Sequence, residues 1–334
     1  MSRAIKYIAR NLVVLFLALI ITGVIIAGAE HRVWAWRSRH TFIAIKPFTL
    51  REGLDRTKEY LEYSISLFRE SEAREQFIEI YKISPEGAIL TTMVILALTM
   101  ALVFVLGLYW GLKAGYNGKR SDRILTTLAP VFSAIPGWFW GVFLIWTLWW
   151  RVGLSTIDYM TYIARARLND KLGFGTYLNA LLIPVLTLTF ANVVIYAFNV
   201  RTLVKKEMHE EHFFADVLKG LPDRRIMKKL LRTVFPSFLT FTSYNFLNLL
   251  VNGMAVEKLF NVNGIGYVFA TSAGRQYDYV WSYLRGIHVV AFSFVFRPEL
   301  LFFVALVMVF LYFINSSVME ILYSKLDPRV RRDV

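Results

Sequence analysis

AILTTMVILALTMALVFVLGLYWGL, residues 88–112, contains no charged side chain and reads as one apolar run. A bilayer core about 30 Å thick is crossed by roughly 20 mostly apolar residues in a helix, because only then are the backbone groups satisfied without water. This stretch is long enough to cross. Residues 11–29, 124–150, 177–200, 235–256 and 300–323 have the same character. The fold class that follows is all-α integral membrane, with six transmembrane helices. Composition agrees: 56% of the 334 residues are hydrophobic and 16% aromatic, against roughly half apolar in an ordinary soluble domain. The sequence has no cysteine, which removes disulfides, thiolate metal sites and cysteine nucleophiles.

A net charge of +14 would suit nucleic acid, but the cations sit where a membrane protein places them. Arg3, Lys6 and Arg10 precede the first span, and Lys113, Lys119, Arg120 and Arg123 follow the second. Lys325, Arg329, Arg331 and Arg332 end the chain, and nine more cations lie between Arg201 and Arg232. Basic loops stay in the cytoplasm. Six spans with both termini cytoplasmic, in the cell membrane, is the consistent solution, with lipid rather than nucleic acid as partner. The basic start, apolar run and Ala27-Gly28-Ala29 also imitate a cleaved secretory signal. Its removal would leave the remaining topology unchanged.

The expected organisation is an N-terminal helix (1–29), a partly helical external segment (30–86), a membrane core (87–323) and a cytoplasmic tail (324–334). In the external segment, 53–81 reads as helix with Leu54, Leu61, Ile65, Phe68 and Phe77 among many charges, until Pro85 and Gly87 interrupt. It is either a docking surface for an external partner or a solvated cap. Residues 279–296 are apolar but contain Arg285 and run into Arg297-Pro298-Glu299. That is too short and charged for a seventh span, which would also put the basic tail outside. An external or interfacial helix is expected instead, with Tyr279, Trp281 and Tyr283 at the membrane surface.

The cytoplasmic loop 201–236 reads as two helices. One is expected over 207–219, ending at Gly220 as its cap with Pro222 blocking continuation. The other starts near Asp223 and continues through Ile226, Leu230 and Leu231 into the fifth span. A short rigid helix across the membrane face can be gripped by a soluble partner, through Phe213, Phe214, Val217 and Leu218. The plain alternative is a connector between spans. Asn192, Asn199, Asn245, Asn248 and Asn252 lie in or beside the fourth and fifth spans, where polar groups favour a cavity or an interhelical partner. Glu257 falls near the external end of a span. His209 and His212 have a metal-compatible spacing but no clear third ligand, so a solvated helix is the better reading. Gly115 to Ser121 only superficially imitates a phosphate loop, since Lys113 stands where the first glycine belongs. An intramembrane enzyme would show paired carboxylates or serine and histidine constellations within the spans, and none is seen. A channel or secondary transporter would show buried ionisable residues or an inverted repeat.

Three ordered motifs resemble the inner-membrane permeases of binding-protein-dependent ABC importers, in the oligopeptide, dipeptide and nickel branch. Ala215, Gly220 and Leu221-Pro222-Asp223-Arg224-Arg225-Ile226, closed by Pro236, are similar to the family's cytoplasmic EAA loop. Residues 256–266 (VEKLFNVNGIG) resemble the sequence after its fifth span, and 326–331 (LDPRVR) its C-terminal signature. Ser133 to Phe139 resembles a helix break near the translocation path, which would bring Ser133 and Pro136 to it beside Asn192, Asn245, Asn248, Asn252 and Glu257. The resemblance implies a type I ABC importer permease, a five-helix core plus an N-terminal helix. It would carry oligopeptides or, on the same architecture, oligosaccharides. It further implies a homologous second permease subunit, two cytoplasmic ATPase subunits and an external solute-binding protein. ATP and Mg would then belong to the partner ATPases, with no cofactor, metal or catalytic residue in this chain. Contact with an ATPase would fall on Phe213, Phe214, Ala215, Asp216, Leu218, Gly220, Leu221, Pro222 and Arg224. Two departures alter that surface: Phe214 stands where the motif begins with glutamate, and Asp216 where a second alanine is usual. About 20 residues near 275–296 are additional to the family's spacing.

Overall fold

The computed structural model describes residues 3–38, 46–118, 120–153, 157–282 and 287–326. In chain order its helices are α1 Arg3–Arg37, α2 Leu50–Arg69, α3 Ser71–Tyr81, α4 Pro85–Asn117, α5 Arg120–Ala134 and α6 Gly137–Val152. There follow α7 Tyr159–Leu168, α8 Phe174–Glu207, α9 Glu211–Leu218, α10 Asp223–Leu259, α11 Ile265–Ser272, strands β1 Ala273–Ser282 and β2 Ile287–Phe296, and α12 Pro298–Leu326. Four helices, α1, α4, α8 and α12, are long and apolar enough to cross a membrane, and counting each of two bent helix pairs as one span makes six. The multi-pass, helical membrane class read from the sequence is what the chain adopts, with one pair of strands added to it.

The chain divides into two compact units, Met1–Thr92 with Asn263–Phe313, and Met93–Val262 with Ile314–Val334. In the first unit Tyr60, Leu67, Phe77 and Tyr81 are buried together with Phe302 and Phe303, and the Phe77 ring meets Phe303 edge to face. Two hydrogen bonds fasten distant segments: Tyr81 to the Ser272 hydroxyl at 2.9 Å, and the Ile265 N–H to Thr92 Oγ1 at 2.9 Å. The charged stretch read as helix over 53–81 is helical, but it breaks at Glu70 into α2 and α3. Pro85 opens α4 at the first helical position, where its missing N–H costs nothing. Ser84 Oγ accepts the Gly87 N–H there at 3.1 Å.

One sequence expectation is overturned in this unit. Residues 279–282 and 287–296 are strand, not helix: β1 and β2 pair antiparallel with Tyr277 opposite Phe292 and Tyr279 opposite Val290. Both segments are rich in β-branched and aromatic residues, which favour extended backbone. Cross-strand pairing, rather than any contact along one segment, satisfies their backbone groups. The additional residues anticipated at 275–296 coincide with this hairpin.

In the second unit the spans are pinned by glycine. Gly107, Gly111 and Gly115 form a stripe on α4 at four-residue spacing, and a Cβ on Gly111 would stand 2.5 Å from the Ala197 carbonyl oxygen of α8. A Cβ on Gly115 would stand 2.7 Å from Val204. Such stripes let two helix backbones approach closely in a membrane. The third expected span, 124–150, is not straight: α5 and α6 meet at 99° across Ile135 and Pro136. The fifth bends by 46° within α10.

Candidate functional site

The loop between α8 and α10 is built from local signals. α8 stops at Glu207, Met208 to Glu210 turn, and α9 begins only at Glu211, four residues later than the sequence suggests. His209 explains part of the difference, because its Nδ1 lies 2.7 Å from the Lys205 carbonyl and so sits on the end of α8. The other end is as read. Gly220 has φ +67°, its N–H reaches the Val217 carbonyl at 2.9 Å, and the Leu221 N–H reaches Asp216 O at 3.4 Å. This pair of bonds is a Schellman stop, which favours glycine because a left-handed residue with a Cβ is strained. Pro222 then precedes α10, whose first residue Asp223 accepts the Tyr116 hydroxyl at 2.6 Å.

Helix α9 is clamped on one side and bare on the other. Phe213 is 9% exposed and packs in a cluster with Leu112, Val200, Val204, Ile226, Leu230 and Val234. Two polar contacts flank it, the ion pair of Asp216 with Lys229 of α10 at 2.5 Å and the approach of His212 Nε2 to Glu207 Oε1 of α8 at 2.7 Å. Phe214, Val217 and Leu218 are 55%, 47% and 87% exposed. The expected apolar grip therefore divides: Phe213 is an anchor into the chain's own core, and the three others present the free edge. Ala215, Pro222 and Arg224 are exposed beside that edge, and Leu221 is half-buried. A cavity of about 400 Å³ lies between α9 and α10, lined among others by Phe213, Asp216, Ile226 and Lys229. Behind the loop, Asp122 at the start of α5 binds Arg201 and, at 2.6 Å, Lys205 of α8.

Of the pathway candidates, the structure gathers some and separates others. Ser133 and Pro136 lie exposed at the α5 to α6 break. Asn252 of α10 meets the same break: its Oδ1 accepts the Gly137 N–H at 3.0 Å and its Nδ2 donates to the Asn248 carbonyl and Oδ1, both at 2.9 Å. It thus caps α6 from another helix, supplying the acceptor that a helix start lacks. Asn192, Asn199 and Asn245 instead donate to the carbonyl four residues earlier on their own helix, at 2.7, 3.0 and 2.9 Å. Each of these bonds is local to its own helix. Glu257 is 1% exposed, a buried acid.

The motif at 256–266 has a local geometry of its own. Asn261 takes a left-handed φ of 50° after α10, binds Asp158 through its side-chain amide, and leaves the Phe260 carbonyl to accept the Tyr159 N–H at 3.0 Å. Asp158 caps α7 through the Thr161 N–H at 2.7 Å. Sequence reading passed over Asp158, although an aspartate just ahead of a helical run is a capping signal. It also passed over the Gly107, Gly111, Gly115 spacing. The motif at 327–331 lies outside the described residues. Among the described residues no group of three or more His, Asp or Glu side chains is placed to hold a metal.

Residues 103–332 match the family described as Binding-protein-dependent transport system inner membrane component. Curated relatives include the Oligopeptide transport system permease protein OppB of Mycobacterium tuberculosis, 26% identical over 229 residues, or 66% of this chain and 63% of the relative. The protein of the same name from Haemophilus influenzae is 24% identical over 234 residues, 69% of this chain and 65% of the relative. The matches thus span less than two thirds of those relatives' length.

Proposed function

Because this chain belongs to the family of binding-protein-dependent transport system inner membrane components, we propose that it forms half of the pore of an ATP-driven importer and couples to its motor through α9. Both termini and the α9 loop face the cytoplasm, where the basic residues are. A homologous permease subunit completes the pore, two ATPase subunits sit below it, and a solute-binding protein delivers cargo from outside. ATP and Mg bind in the ATPases, and this chain contributes no catalytic group. The names of the similar proteins support oligopeptides as cargo.

The carrying observation is the division of α9 into an anchored face and a bare apolar edge. A lever must be rigid toward its own shaft and open toward what moves it. Phe213 and the Asp216–Lys229 pair tie α9 to α10, while Phe214, Val217 and Leu218 wait for an ATPase groove. Such an exposed apolar cluster rimmed by charges is the usual form of a protein docking site. From Asp223 to Leu259, α10 is 37 residues long, about 55 Å at 1.5 Å per residue. A displacement of α9 toward the nucleotide-bound ATPase pair is carried along it to Asn252. There the capped start of α6 turns with it, and the angle at Pro136 changes access to the path. The free energy comes from nucleotide binding in the partner, since a state shifts only as far as its ligand's differential affinity.

The chain has no native cysteine, so Leu218→Cys gives a single labelling point. In the assembled importer it is expected to cross-link to an ATPase subunit, more in one nucleotide state than the other. Labelling of that position by an impermeant thiol reagent from outside intact cells, or full uptake with no ATPase cross-link in any state, would end the proposal.

A further inference from the structure

Helix α2 carries three faces where a surface helix carries two. Gly53, Tyr60, Ser64 and Leu67 are buried against the unit. Arg51, Asp55, Lys58, Glu59 and Glu62 form an exposed charged face. Between these lie Leu50, Leu54, Leu61, Ile65 and Phe68, each between 37% and 68% exposed. At 100° per residue those five fall within about 60° of arc, and they extend about 27 Å along the axis. The stripe contains no charge, so one side of α2 is buried against protein, one is charged, and the third is apolar and uncovered.

The depth of α2 against α1 identifies what that third side meets. A Cβ on Gly23 of α1 would stand 2.4 Å from Thr57 Cγ2, and one on Gly53 of α2 would stand 3.2 Å from Val24 Cγ1. The two backbones therefore meet at Gly23 and Val24, inside the apolar run of α1, about 10 Å before its first acid, Glu30. Tyr60, further along α2, donates its hydroxyl to that Glu30. On either side of the contact Ile21 and Ile25 of α1 are 59% and 66% exposed, as on a helix bathed in lipid. Trp34 and Trp36 are exposed at the end of α1, and Trp34 shares a cavity wall with Glu52 and Arg56 of α2. Exposed tryptophans beside charges mark a headgroup layer.

We propose that α2 is an interfacial helix, lying in the outer headgroup and upper acyl layer with Leu50, Leu54, Leu61, Ile65 and Phe68 in lipid. It rests on the reading of α1 as a membrane span and adds a lipid-holding surface to the importer beyond its coupling site. Free energy from this stripe opposes any lifting of the external segment away from the membrane, so α2 fixes the height at which that segment meets an arriving partner.

The experiment places a nitroxide at single cysteines in the assembled importer, reconstituted in vesicles of phosphatidylethanolamine and phosphatidylglycerol. Positions are Leu54→Cys, Leu61→Cys and Ile65→Cys on the stripe, Glu59→Cys and Glu62→Cys on the charged face, and Ile25→Cys on α1. Collision with oxygen, which concentrates in lipid, is compared with collision with a water-soluble nickel chelate. The expected oxygen-to-nickel ratio is several-fold higher on the stripe than at Glu59→Cys and Glu62→Cys, approaching that of Ile25→Cys. Equal nickel access on the stripe and the charged face would show a solvated helix and overturn the proposal. Stripe labels shielded from both reagents would show another protein subunit seated there and overturn it equally. A failure at Ile25→Cys itself would instead strike the spanning reading of α1, so the two failures are distinguishable.

Discussion

Helices α9 and α2 both leave apolar side chains uncovered, yet they differ in every feature that decides what covers them. α9 has eight residues, three bare apolar side chains, and polar contacts to the helices on either side. α2 has twenty residues and an apolar stripe along its whole length, bounded on one side by charge. A small cluster on a clamped helix suits one socket of definite shape. A long stripe without polar interruption suits a medium that is the same everywhere. Exposed apolar area alone does not separate a docking site from a membrane surface; its extent and the fixing of its backbone do.

Four variants test that contrast, and the largest effect belongs to the anchor. Phe213→Ala removes a buried ring and is expected to cost about 3 kcal/mol of stability, read as a clear fall in melting temperature of the purified complex in detergent. Loss of ATPase binding without any loss of thermal stability would contradict the division of α9 into two faces. Next, Phe214→Asp with Leu218→Asp should leave the chain stable in the membrane but weaken ATPase association by about thirtyfold, the ~2 kcal/mol of a central interface anchor. Co-purification at graded ATPase concentration measures it.

Asn252→Ala deletes the cap on α6, and about 1 kcal/mol is expected from the loss of one such acceptor. Uptake per ATP hydrolysed should fall while ATPase binding stays constant; equal loss of both would place the fault in folding. The smallest effect is predicted for Leu61→Ser on α2, where a single lipid-facing side chain is exchanged. ATPase binding should be unchanged, and uptake should fall only slightly. A loss as large as that at Leu218 would make the α2 stripe a protein socket and erase the contrast.

Where a feature depended on neighbours in sequence, it was legible there. The spans follow from length and apolarity, and Gly220 with Pro222 announces the end of α9 because a left-handed glycine and a missing N–H act locally. The start of α9 was misplaced because His209 sits on the Lys205 carbonyl and His212 on Glu207, contacts that an amphipathic pattern does not encode. Phe213 and Phe214 are adjacent and chemically identical, and only the packing of α8 and α10 decides which is inside. A break was anticipated at Ser133 to Phe139, but not its 99° angle, since the cap that holds it comes from Asn252, 115 residues away. The hairpin was missed for the same reason: β1 and β2 gain their hydrogen bonds from each other, across an interval that a helical reading treats as continuous.

The glycine stripe on α4 carries a consequence for how this chain can vary and move. At Gly111 even alanine would drive a methyl group against the carbonyl of Ala197, at 2.5 Å and on backbone that has no rotamer to yield. If the proposed pore rearranges, sliding or parting this seam would open a void along it, so residues 107–115 and 196–204 are expected to move together. Motion has to be taken up elsewhere, at joints whose side chains can turn.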